Sequence, residues 1–337
     1  MRSRGTAHGT PDALAPRMRY GCLSLAALLT LGALACGGDD DGAGDGGDGG
    51  DADSGPEADG GGGGGADGPR DRVAGDLSVY EGRFGQGETD TDWSYVLASF
   101  VDPRPHYMTL EMEAGACRMW SYQPGGCGEC VGLCDAEGEC VPFPTQLSAG
   151  VLTIGGVNGG DIEMEPTEYG YYLDRGLPDD LFAPGAEVTV TAAGDDDVGA
   201  FSLAADGVDP IDIELVAQGE GENEDTLRLE DGADLTLSWE PARPGTRVRL
   251  EINSNNQGHG LPVDSMIECE SDDDGSLTVP RAMIEAFPDK EYQNICAGTD
   301  CPPSTLTRYR WDRAAVGDLE VELRVEYRAQ FIVVHEP

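Results

Sequence analysis

The stretch DLEVELRVEYRAQFIVV, residues 318–334, alternates apolar and charged side chains from Leu319 to Tyr327. Successive side chains of an extended strand point to opposite sides. Leu319, Val321, Leu323, Val325 and Tyr327 therefore share one face, and Glu320, Glu322, Arg324 and Glu326 share the other. The pattern predicts an antiparallel strand with one face on a core and one in solvent. Its length suits two strands or one bent strand.

The same period recurs along the chain. HYMTLEMEA (106–114) sets Met108, Leu110, Met112 and Ala114 against Tyr107, Thr109, Glu111 and Glu113. EVTVTAA (187–193), DIELVAQ (212–218), TLRLE (226–230), DLTLSWEP (234–241) and RVRLEIN (247–253) read likewise, and Trp239 reads as a mid-strand core residue. Turn chemistry such as EDGAD and ARPG separates them about every ten residues. The expectation is an all-β, antiparallel β-sandwich-like body. One short helix is predicted near 280–287: Thr278 as cap, Pro280 near the first turn, Met283, Ile284 and Phe287 as the apolar stripe, and Pro288 as the stop. RGLPDDLFAPGA (175–186) marks an expected break between a Cys-rich β region, 69–175, and a sandwich-like region, 187–337.

The N-terminus supplies an address. Arg17 and Arg19 precede an uncharged run, Tyr20 to Cys36, too short to span a bilayer stably. Residues 1–36 read as a signal peptide, with Met18 as an alternative start, and Ala33-Leu34-Ala35-Cys36 resembles a lipobox, which implies a lipid on Cys36. A cleaved secretory signal is the alternative. Residues 37–68 hold 16 Gly and 10 Asp or Glu. Such a segment buries too little to offset its ordering entropy, so it reads as a disordered acidic tether. Residues 69–337 carry 16 Arg and one Lys against 53 acids, a formal charge near −36. Nucleic acid is excluded as a partner by repulsion. The expected location is a bacterial membrane facing outward, at the outer membrane or cell surface.

Export decides how the cysteines read. With Cys22 lost in the signal and Cys36 lipidated, Cys117, Cys127, Cys130, Cys134, Cys140, Cys269, Cys296 and Cys301 remain. In an oxidising compartment these are expected to form disulfides that brace the body. Five lie early and three late, so complete internal pairing demands a bridge between the groups. The alternatives are a zinc site, although C-x2-C-x3-C-x5-C lacks two separated pairs, and a redox C-G-E-C, although its glycines and extra thiols argue against one.

Catalytic patterns are scarce. His106, His259 and His335 stand in no paired spacing, and Ser265 and Ser276 in no nucleophile elbow. Asn256, Gln257 and His259 form a polar loop suited to a ligand. Asp195 to Asp197 and Asp272 to Asp274 form acidic turns. Asp195, Asp197, Asp272 and Asp274 are the residues for calcium, without a matching motif, and no other cofactor is expected. Trp93, Trp120, Tyr122 and the EYGYY segment offer rings for a sugar, a core or an interface.

The tether, the Cys cluster ending in GECVPFP, the later strands and IECESDDDGSLTVP together resemble surface lipoproteins of myxobacterial type. That resemblance implies an envelope location and assigns no residue roles. The functional expectation is a lipid-anchored envelope protein with a non-catalytic structural or binding role, its partner a glycan or an envelope protein. The alternative is a carbohydrate-active module that binds glycans or hydrolyses glycosides.

Overall fold

Every period-two run that falls among the described residues folds as a strand. The computed structural model describes residues 75–84, 91–101, 108–122, 133–134, 140–141, 145–212, 226–254, 263–288 and 303–336. All lie in the unit Ala58–Pro337. In chain order the strands are β1 (Gly75–Phe84), β2 (Thr91–Phe100), β3 (Thr109–Ala114), β4 (Cys117–Ser121), β5 (Leu133–Cys134), β6 (Cys140–Val141), β7 (Leu152–Gly155), β8 (Ile162–Met164) and β9 (Tyr172–Arg175). They continue with β10 (Glu187–Ala192), β11 (Phe201–Asp206), β12 (Thr226–Glu230), β13 (Leu235–Ser238), β14 (Arg247–Asn253), β15 (Ser265–Asp272), β16 (Ser276–Val279), β17 (Ser304–Val316) and β18 (Leu319–Glu336).

The larger sheet has ten strands in the order β3-β4-β15-β14-β17-β18-β1-β2-β9, with β12 added on β18. A second sheet runs β11-β10-β7-β8. One apolar cluster takes residues from both: Leu77, Val79, Phe100, Leu250, Leu323 and Val325 from the large sheet, and Leu152, Ile154, Val188, Val190 and Leu203 from the small one. Each buried side chain of this size contributes about 1.5–3 kcal/mol relative to exposure. The fold is thus all-β and sandwich-like, as the alternation predicts. Parallel pairing enters at two places, because β18 runs parallel to β1 and, beyond it, to β12.

Three expectations need correction. The segment 175–186 does not separate two sheets: β7 pairs with β10 across it, and β4 pairs with β15. Thr278 is no helix cap, since it sits in β16 opposite Thr236. The helix α1 (Arg281–Ala286) begins after Pro280, and Asp234 accepts a hydrogen bond from the Arg281 N–H at 2.7 Å. The third correction is the largest. β18 is a single strand at the centre of the sheet, and its charged face is buried: Glu322, Arg324 and Glu326 have almost no exposure. Opposite charges on flanking strands replace the solvent that alternation alone leads one to expect.

Cys117 and Cys269 stand opposite each other on β4 and β15 and are joined by a disulfide, both fully buried. The bridge links the early cysteine group to the late one, as parity requires. It braces neighbouring strands of one sheet. Cys134 and Cys140 stand opposite each other in the β5–β6 pair. Cys36, Cys127, Cys130, Cys296 and Cys301 lie outside the described residues.

Candidate functional site

The charged face of the large sheet is built by register. Across the sheet, Asp76 and Ser78 of β1, Glu322, Arg324, Glu326 and Arg328 of β18, and Tyr309, Trp311 and Arg313 of β17 share one side. Signs alternate from Glu322 to Arg328 along β18, and with Arg313 of β17 the two buried acids each meet two cations. Glu322 takes Arg324 at 3.0 Å and Arg313 at 2.5 Å, and Glu326 takes Arg324 at 2.9 Å and Arg328 at 2.6 Å. Arg324 also contacts Asp76. Burial alone would raise the Glu326 carboxyl, but Arg328 and Arg324 hold it well below the usual carboxylate range. Rings complete the layer. The guanidinium of Arg328 lies 4.0 Å from the Tyr80 centroid, that of Arg249 4.9 Å from Tyr309, and that of Arg313 4.9 Å from Trp311.

Most of this lattice is closed. Trp311, 46% exposed, and its neighbour Arg313 are the open part. They lie where β17 runs on past the end of β14, which starts at Arg247 opposite Tyr309. There the second sheet comes against β17: the Ala204 N–H donates to Asp312 Oδ2 at 3.0 Å, and Arg310 Nη1 donates to Asp206 Oδ2 at 2.7 Å. Between them lies an open groove of about 360 Å³, lined by Glu187, Ala204, Asp206, Gly245, Arg310 and Trp311. Glu187 and Asp206 are direct cross-strand partners. Like charges so placed repel, and Arg310 offsets that repulsion. Arg310 is itself held by Thr246 Oγ1 at 3.4 Å and the Pro244 carbonyl at 2.5 Å. Gly245 has φ +84°, a conformation that disfavours any side chain at the groove wall.

A second polar cluster lies on the same face at β14, β15 and β4. Arg249 Nη1, Glu268 Oε2 and Trp120 Nε1 are buried without hydrogen-bond partners. Glu268 has Arg118 at 3.5 Å, while Glu251 stands opposite it in register. Burial lifts its carboxyl to about 7, with Glu251 and Glu270 adding to the rise and Arg249 and Arg118 opposing it.

The residues singled out from sequence are scattered. Asp195 and Asp197 tie down Ser148, accepting from its hydroxyl at 2.7 Å and its N–H at 3.1 Å. Asp273 accepts from Trp239 Nε1 at 2.6 Å and pairs with buried Arg308 at 2.9 Å. Trp239 is buried, but just past the end of β13. Asp272 ends β15, opposite Arg247, and Asp274 follows in the turn. Among the described residues no three His, Cys, Asp or Glu converge. His335 is buried between the Pro288 carbonyl at 3.2 Å and Asp231 at 3.3 Å. Ser265 and Ser276 start strands β15 and β16. His106, Asn256, Gln257 and His259 lie outside the described residues.

Of the aromatics, Trp120 and Tyr122 pack with Met108 in a small core. The hydroxyl of buried Tyr172 donates to the Gly150 carbonyl at 2.8 Å. Trp93 is half-buried, edge-on to Tyr80 at 5.3 Å. Tyr171 is half-buried and stacks on exposed Tyr169 at 6.3 Å. Sequence reasoning missed Glu187, Asp206, Arg310 and Trp311. The alternation in RYRWDR, 308–313, places Trp311 and Arg310 on opposite faces of one strand, but nothing in it shows that a second sheet meets the strand there. No protein-family model matches the chain, and no curated protein matches it.

Proposed function

We propose that the protein is a lipid-anchored envelope protein whose folded body has a non-catalytic binding or structural role. Cys36 carries the lipid, residues 37–68 are the tether, and the body faces outward at the outer membrane or cell surface. The observation that carries this reading is the Cys117–Cys269 bridge. Thiols in a cytosol stay reduced, so a disulfide in the middle of a sheet suits a chain that oxidises after export. The uncharged run ending at Cys36 provides that route. Growth with an alkyne-tagged palmitate tests the anchor: label is expected on the parent chain and absent from Cys36→Ser. An unlabelled parent removes it.

A second reading, a carbohydrate-active module, is favoured by the open groove lined by Glu187, Asp206 and Arg310, whose carboxylates accept and whose guanidinium donates, as sugar hydroxyls require. The engagement of Asp206 by Arg310 at 2.7 Å favours binding over glycoside hydrolysis.

A further inference from the structure

We infer that the end of the large sheet formed by β2 and β9 is a docking surface for a partner protein with a basic face, centred on Tyr95, Leu97, Leu173, Tyr171 and Tyr169. The inference rests on the binding role proposed above and names its surface and the partner's chemistry.

Register assembles the patch. Leu97 stands opposite Leu173, and Tyr95 opposite Arg175. These residues share the side of the sheet turned away from buried Val96 and Ala98. Tyr171 follows on that side, because Tyr172, between it and Leu173, is buried on the other. Tyr171 stacks on Tyr169 at 6.3 Å, which extends the patch to the turn Thr167–Gly170. Leu97 is 38% and Tyr169 49% exposed. The rings are also held in place. Tyr80 and Trp93 each lie 5.5 Å from Tyr95, and the Arg175 guanidinium lies over it at 5.7 Å. Aromatic side chains so fixed lose little entropy on binding, and Tyr, Trp and Arg are the usual anchors of protein interfaces.

Three features choose the occupant. First, the planes of Tyr80, Trp93 and Tyr95 differ by 43° to 87°, and two leucines separate these rings from Tyr171. No flat row of rings is offered to successive sugars, whereas mixed aromatic and aliphatic area suits the apolar centre of a protein interface. Second, the rim is acidic. Glu165 and Glu168 are exposed beside Tyr169, and Glu168 hydrogen-bonds with its hydroxyl. A basic rim on the partner is the complement. Third, a body near −36 repels a second copy of itself, nucleic acid and an anionic membrane alike.

Selection of phage-displayed random peptides on the purified full chain tests this, followed by titration of the enriched peptides in solution. Peptides with an apolar residue flanked by Lys or Arg are expected. Leu97→Ala combined with Tyr169→Ala should weaken their binding about tenfold or more. The urea midpoint should hold, because both side chains are exposed. Glu165→Gln with Glu168→Gln should weaken binding and flatten its dependence on NaCl. Trp311→Ala, similarly exposed but outside the patch, should leave it unchanged. Basic peptides that bind the Leu97→Ala, Tyr169→Ala chain as well as the parent overturn the patch as the site. Enrichment of acidic or uncharged peptides overturns the basic partner. Absence of enrichment overturns the inference outright, as does retardation of the parent but not of that double variant in gels containing laminarin or xyloglucan, which gives the patch to a glycan. The anchor is read from label on Cys36, so it stands or falls separately from each of these outcomes.

Discussion

Glu268 shows what the charged face costs at the scale of one residue. Its Oε2 is buried without a partner, and burial lifts the carboxyl from 4.5 to about 7. Between those values the folded chain holds a proton that the unfolded chain has released. The stabilisation is therefore complete below about pH 4.5 and is lost as pH rises through 7. Glu268→Gln removes this dependence. Urea unfolding at pH 5 and pH 8 should show the parent losing up to about 3 kcal/mol more than the variant across that range. Glu81 adds a slope of the same sign in both proteins, since burial lifts it to about 7 despite the hydrogen bond it accepts from the Phe182 N–H. Equal slopes for parent and variant would contradict the assignment to Glu268. Arg324 is the opposite case, a buried cation answered by Glu322, Glu326 and Asp76. Arg324→Met leaves two buried acids short of a partner and should destabilise by about 3–5 kcal/mol in the same assay. A loss under 1 kcal/mol would mean that the lattice is not held together as described.

At the scale of elements, two contacts decide whether the sheet assembles. The Cys117–Cys269 bridge spans 152 residues. Replacing both cysteines by Ala should cost about 2–5 kcal/mol, seen as a lower urea midpoint. β1 and β2 meet where Gly82 faces Trp93, and a Cβ at position 82 would lie 2.3 Å from the indole. Gly82→Ala should therefore displace Trp93 and cost about 1–3 kcal/mol. The tryptophan near-ultraviolet signal should change with it, and an unaltered signal would show that the ring is not packed there. Elements are also the level most legible in sequence. Alternation located β3, β10, β12, β14 and β18 because the period of two is a local property. It could not tell that the charged face of β18 is covered. That depends on Asp76, about 250 positions away, lying beside Arg324.

For the whole molecule, the limit of legibility is contact order. The groove joins Glu187, Asp206, Gly245 and Arg310, which three different connections bring together, and no local pattern marks them. The cysteines were more informative, because counting them is not a local operation. Five early and three late demanded a long-range bridge, and Cys117–Cys269 is one. The proposed export and the pairing of β4 with β15 thus meet in a single covalent bond. Proteolysis of the full chain, with free thiols alkylated at cell lysis and no reductant, measures it directly. The peptides containing Cys117 and Cys269 should appear as one species that separates on reduction. Recovery of both as alkylated free thiols would contradict the account.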